Sequence, residues 1–250
     1  MIRVVGAFAA LVLAAYAPAG RAEQSKQRTF PSAEEAAGAL FQAVQARDEK
    51  AVSQILGGDK ELFSVGDESE DELDRQQFLE KYQEMHRFAR GPDGTDLYLG
   101  AENWPFPIPL ISTGGAWSFD AQAGRREIVF RRIGENESYA IDFCLALARL
   151  NERDAAASVG NPLPSHGYYF RALPAQGKPA SILAYPAEYR SSGVMTFVVD
   201  HGNVVYERDL GPSTAQVAKA MTSYKPDSTW HALQVSDRSP APEDRREGTQ

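Results

Sequence analysis

Pro105, Pro107 and Pro109 stand at alternate positions inside the segment WPFPIPL, Trp104 to Leu110. That spacing removes most of the ways in which the segment can fold. Proline lacks a backbone N–H and fixes φ, so three of them fit neither a helix interior nor the middle of a sheet. The segment is expected to run extended, on an edge or across the core, in polyproline-like geometry. It opens a dense stretch ending at Glu137, which holds two of the three Trp residues and an Arg/Glu/Asn run. The stretch is too specific for a generic loop and too poor in nucleophiles to announce a reaction.

Stability has to come from an apolar core. Cys144 is the only cysteine, so no intrachain disulfide can form. A thiol in the middle of an apolar helix is expected to be buried and inert. Residues 1–22 read as a signal peptide: Arg3 supplies the positive start, Val4 to Ala17 the apolar run, and small residues lead to a cut after Ala22. The run is shorter than the ~20 apolar residues a membrane span needs, and no other stretch suffices. The chain is therefore expected to be periplasmic or secreted, with no transmembrane segment after cleavage. Losing Arg3 and Arg21 moves the formal charge from −8 to −10. Such a charge opposes nucleic acid and anionic lipid as partners.

Along the chain, Ser32 with Glu35 marks a capped helix start, and its apolar stripe runs to about Arg47. A second helix follows from Asp48 to Gly57-Gly58. Phe78, Tyr82, Met85 and Phe88 place a third helix over about 70–88, with His86 on it. Strands are expected from Leu97. Trp117 to Asp120 is expected to pair with Arg126 to Arg132 as a hairpin across Ala121 to Gly124, and Asn136 or Ser138 to open a buried helix reaching Leu150. Asn151 to Ser165, small and Gly/Pro-marked, reads as a linker. The second half holds the strand Gly167 to Arg171, another at Ile182 to Tyr185, and a hairpin from Val194 to Arg208 turning at Asp200 to Asn203. Ser213 with Gln216 opens a last helix, reaching Tyr224. Residues 234–250 read as a disordered tail. The fold class is α+β, with halves at 31–150 and 166–233: N-terminal helices and small antiparallel sheets, then a hairpin-rich half with one terminal helix.

The chain resembles a family of secreted bacterial proteins known as domain of unknown function 2950. The resemblance rests on Trp104 to Leu110, Trp117 to Asp120, the RRIGENE run from Arg131 to Glu137, Gly167 to Phe170, and Ser192 to Leu210 with its sequel to Trp230. It implies no reaction. Members of the family continue after RRIGENE into a Gln- and Tyr-bearing stretch and a glycine-rich loop with a Trp. Here Leu150 to Ser165 is short and Ala-rich instead. The second half is also similar in pattern to the globular part of type II secretion pseudopilins, without the hydrophobic assembly helix of a pilin ahead of it.

No G-x-S-x-G elbow, H-E-x-x-H helix, P-loop or dinucleotide fingerprint occurs, and the four His residues show no metal-ligand spacing. No cofactor or metal is expected. The best functional candidate is Asp120, Arg131, Arg132, Glu135, Asn136 and Glu137, with Trp104 and Trp117 as apolar walls for a carboxylate or sugar ligand. The competing reading is structural: Arg131 or Arg132 paired with Glu135 or Glu137, Asn136 capping a helix, and the Trp residues filling core. The sequence favours the structural reading. At the level of function it favours a non-enzymatic binding or envelope-assembly module, whose partner is an envelope protein or polymer. The alternative is a cell-envelope hydrolase working through a carboxylate pair.

Overall fold

The computed structural model describes residues 27–58, 60–64, 66–91, 94–149, 163–175, 178–200, 202–225 and 227–233. The expected signal peptide, the expected tail and all of the expected linker except its last three residues lie outside them. The fold is α+β, and the chain divides into two compact units, one ending at Ala121 and one starting at Gln122. That boundary replaces the one expected at 151–165, because the long helix that follows Asp120 packs on the second sheet.

In the first unit, α1 (Ala33–Gln45) starts where Ser32 Oγ accepts the Glu35 amide at 3.1 Å. α2 (Glu49–Leu56) is capped by Asp48 and stopped by Gly57 at φ +102°. α3 (Glu68–Glu84) begins at Asp67, whose carboxylate accepts two amides of the first turn. It ends four residues short of the expected limit. Met85 is already extended, and His86 and Phe88 belong to strand β1 (His86–Arg90), which pairs with β2 (Thr95–Leu99). The aromatic stripe was real, but helix and strand share it: Tyr82 stacks on Phe41 at 4.7 Å, and Phe78, Phe88 and Phe106 pack against Leu97 and Leu99.

The proline segment does lie at an edge. β3 (Trp104–Pro105) pairs with the end of β2, and Ile108 and Leu110 are buried beyond it. β4 (Leu110–Thr113) then turns into β5 (Ala116–Phe119) through Gly114 and Gly115, at φ +61° and +84°. Two positive φ values in a two-residue loop match the twist of a tight hairpin, and glycine adopts them without a Cβ clash. β4 is therefore the hairpin partner of β5. Arg126 to Arg132 is not.

Those residues belong to α4 (Ala121–Ala148), one continuous helix of 28 residues. The expected hairpin and the expected start at Asn136 or Ser138 are both overturned. Ala and long charged side chains favour a helix through Gly124 and Gly134, and Glu127 pairs with Arg131 one turn on at 2.7 Å. In the C-terminal part, Ala140, Ile141, Cys144 and Leu147 are buried against the second sheet.

That sheet is antiparallel in the order β10-β9-β8-β7-β6, built from β6 (Tyr168–Ala175), β7 (Lys178–Pro186), β8 (Met195–Val199), β9 (Val205–Asp209) and β10 (His231–Leu233). Its central strands are buried on both faces. Ile182, Ala184, Phe197 and Val199 face α4, while Leu183, Tyr185 and Val198 face Ala218 and Trp230. Double-sided burial explains the nearly unbroken apolar runs SILAY and MTFVV. The β8–β9 turn uses Asp200, whose Oδ1 accepts the Gly202 and Val204 amides.

The last helix, α5 (Thr214–Ala220), is shorter than expected and Ser213 makes no side-chain cap. A 3-10 turn over Gly211–Ser213 leads into it, with Thr214 Oγ1 donating to the Gly211 carbonyl. Its C-terminal end is held by Arg171 of β6, which donates to the carbonyls of Ala218, Lys219 and Met221 at 2.6, 3.0 and 3.4 Å. A cation placed there complements the helix dipole.

Candidate binding site

The Arg/Glu/Asn run lies along α4, and its members point to different tasks. Arg131 pairs with Glu127 one turn back, at 2.7 Å. Arg132 and Glu135 are exposed. Asn136 donates to the Ser192 carbonyl at 2.8 Å, and Glu137 Oε1 accepts the Val194 and Met195 amides at 2.9 and 3.0 Å. Beside them the Tyr168 hydroxyl donates to the Met195 carbonyl at 2.8 Å. Burial, with the nearby Glu137 carboxylate, pushes that phenol well above its ordinary range. A Cβ on Gly193 would sit 2.2 Å from the same oxygen. RRIGENE, GYYF and SSGVM thus meet at one joint between α4 and the sheet. The joint clamps the loop before β8, and Asn136, inside α4, does not cap a helix as expected.

Glu135 and Glu137 cannot act as a pair. Two positions apart on a helix, they are turned by about 200°, and Glu137 already serves two amides. Asp120 precedes α4, with its amide bonded to the Pro109 carbonyl. Burial also pushes up the Cys144 thiol, which is fully enclosed and inert.

The two indoles do not share a cavity either. Trp104 is opposite Leu99, whereas Trp117 is opposite Ser112, two residues past the Thr95–Leu110 pairing. At ~3.3 Å per residue, this register separates them by roughly 20 Å along the strands. Trp104 is 40% exposed and meets Phe106 edge-on. Trp117 is half-buried and forms a wall of a groove of about 480 Å³ within the first unit. Among the described residues, the others that line it are Arg90, Gly94, Thr95, Leu110, Ile111 and Ser112.

The strand register explains how that groove forms. Arg90, Thr95, Leu110 and Phe119 lie in one row across the sheet, directly opposite one another, and so share a face. Leu110 and Phe119 are buried in the core, while Arg90 is exposed. The groove is where the core face of the sheet opens to solvent. Gly94 lets β2 come close, since a Cβ there would lie 2.5 Å from the Leu110 carbonyl oxygen.

Backbone directions can be read from one bridge. Trp117 exchanges both of its backbone bonds with Phe30, at 2.8 and 2.7 Å, so its amide and carbonyl point away from β4. Antiparallel pairs alternate between bonded and unbonded. Ile111 and Thr113 therefore bond to β5, and Ser112 directs its N–H and C=O to the β2 side. β2 pairs with β4 only at Thr95, so no described strand residue is opposite Ser112. Arg90 and Ser112 were not among the expected site residues; the Gly-Gly turn between LIST and AWSF signals only that Ser112 is opposite Trp117, and no sequence signal marks Arg90.

The chain belongs to the family described as "Protein of unknown function (DUF2950)", which it matches over residues 27–161 and 148–233. The two matched segments overlap at 148–161. No curated protein matches the chain, and no solved structure does.

Proposed function

We propose that this protein is a non-enzymatic periplasmic or secreted module that binds an envelope component in the groove at Trp117. The observation carrying the reading is a half-buried indole that shares the lining of an open groove with Arg90. Its size is in the usual range of ligand pockets, about 300–1,000 Å³. The reading of residues 1–22 as an export signal supports the compartment, and the dispersal of the carboxylates weighs against the hydrolase alternative. The pseudopilin likeness adds nothing to the reading.

The test has two arms. Mass spectrometry of the protein from the periplasm or medium should find a chain starting at Glu23. Titration with soluble envelope peptides and glycan fragments should change the tryptophan emission, and Trp117→Phe should abolish the change. Retention in the cytoplasm at full length, or the same response in Trp117→Phe, overturns the proposal.

A further inference from the structure

On the reverse face of the first sheet, we infer that Arg87, Tyr98 and Asn103 form a binding site for a carboxylate. The site is separate from the Trp117 groove and does not rest on it. Side chains alternate along a strand. Arg90 and Thr95, which line the groove, therefore share the core face, whereas Arg87 and its partner Tyr98 are on the other. Pro105 is opposite Tyr98 on its far side, so Arg87, Tyr98 and Pro105 make one row across three strands. Arg87 and Pro105 are exposed, and Tyr98 is half-buried.

The guanidinium is held on two sides. Its central carbon lies 4.2 Å from the Tyr98 ring centroid, so one face rests on the aromatic ring. Its Nε donates to Asn103 Oδ1 at 2.5 Å. Asn103 is itself fixed at φ +55°, where Asn is tolerated better than most residues. Its backbone N–H donates to the Gly100 carbonyl at 3.0 Å and its Nδ2 to the Ala101 carbonyl at 3.3 Å. The two Nη groups remain, and neither bonds a described residue. Together they form the end of the fork that grips both oxygens of a carboxylate. A side chain already immobilised by its neighbours loses little further freedom on taking a ligand.

The nearby carboxylates are occupied or turned elsewhere. Glu102, next to Asn103, is paired with Lys81. Asp96 shares the face of Tyr98 but leans over Gly91, where a Cβ would lie 2.1 Å from its Oδ2, at the opposite end of β2 from Asn103. With Lys81 engaged, Arg87 brings one positive charge. A carboxylate balances it, and a phosphate monoester, at roughly −2 near neutral pH, exceeds it. Pro105 offers apolar surface about 10 Å away, two strand spacings, to the group carrying the carboxylate.

The test uses the full chain, 15N-labelled, at low salt, with N-acetylvaline, its methyl ester, glucuronate and methyl phosphate as probes. A free carboxylate should shift the Arg87 Nε–H and Asn103 side-chain resonances, and the ester should not. Arg87→Lys keeps the charge and loses the fork; it should weaken binding about fivefold. Asn103→Gly keeps the positive φ and loses the anchor; it should weaken binding about threefold, both within the range of one exposed ion pair. Trp117→Phe should bind as wild type does. A response to N-acetylvaline alone or to glucuronate alone supports the site and identifies a chain end or a sugar acid as the source. An equal response to the ester, or tighter binding of methyl phosphate, overturns the carboxylate assignment. Unchanged binding in Arg87→Lys or in Asn103→Gly overturns the held fork, and silence with every probe overturns the site.

Discussion

Glu137 Oε1 accepts the backbone amide of Val194 at 2.9 Å, and the same oxygen takes the next amide, Met195, at 3.0 Å. One carboxylate oxygen thereby ties the middle of α4 to the entry of β8. Removing it leaves two part-buried donors without their partner, so Glu137→Ala should lower unfolding free energy by about 2–4 kcal/mol. Glu137→Gln keeps an acceptor oxygen and loses only the charge assistance, for about 1 kcal/mol or less. Urea unfolding of the two variants distinguishes this clamp from a catalytic carboxylate, for which Ala and Gln would leave stability alike.

Two glycines close to this joint should respond in opposite directions. Gly134 lies mid-helix with open space where a Cβ would go, whereas on Gly193 it would meet the Tyr168 hydroxyl at 2.2 Å. Gly134→Ala should stabilise the protein by up to about 1 kcal/mol through helix propensity. Gly193→Ala should destabilise it by about 1–3 kcal/mol, the usual cost of overpacking. Thermal melts of both variants check the pair.

The second half was legible because its strands carry their own instructions. MTFVV and VYERD flank a turn at Asp200, whose carboxylate accepts the Gly202 and Val204 amides beside the backbone bonds of the turn. α4 was harder to read. Gly124, Gly134 and the β-branched Ile128, Val129 and Ile133 imitate a strand bounded by turns, and the helix is decided by tertiary burial of Ala140, Ile141, Cys144 and Leu147. That mistake hid the Gly114–Gly115 hairpin, since β5 was given the wrong partner. The clamp residues Asn136 and Glu137 were visible as an unusual run, but their partners lie 56 to 58 residues away. The groove was invisible for a different reason. Arg90, Thr95 and Ser112 are ordinary residues that only the register of β1, β2 and β4 brings together.

Cys144 gives a pH-linked prediction. Burial raises the thiol's pKa above its ordinary value. A raised pKa means that the folded state holds the proton more tightly than the unfolded chain does. The stability this contributes is complete below the ordinary thiol range and declines as the pH rises through it. In practice the native thiol should not react with Ellman's reagent at pH 8, and one thiol per chain should react in denaturant. Rapid labelling of the folded protein would show that α4 does not pack as described.

Proline scanning of β4 checks the backbone directions on which the groove rests. Ile111 is opposite Ser118 in a bonded pair, so its N–H donates to the ladder. Ser112, opposite Trp117, turns its N–H to the β2 side, because Trp117 spends both of its backbone groups on Phe30. Proline abolishes a donor, and it is tolerated on strands where that donor faces outward. Ile111→Pro should therefore cost about 3 kcal/mol or more and broaden the amide resonances of β5. Ser112→Pro should leave the melting temperature within a few degrees of wild type. Equal destabilisation by both would mean that the Ser112 amide is bonded within the sheet and that the backbone directions of β4 are not as described.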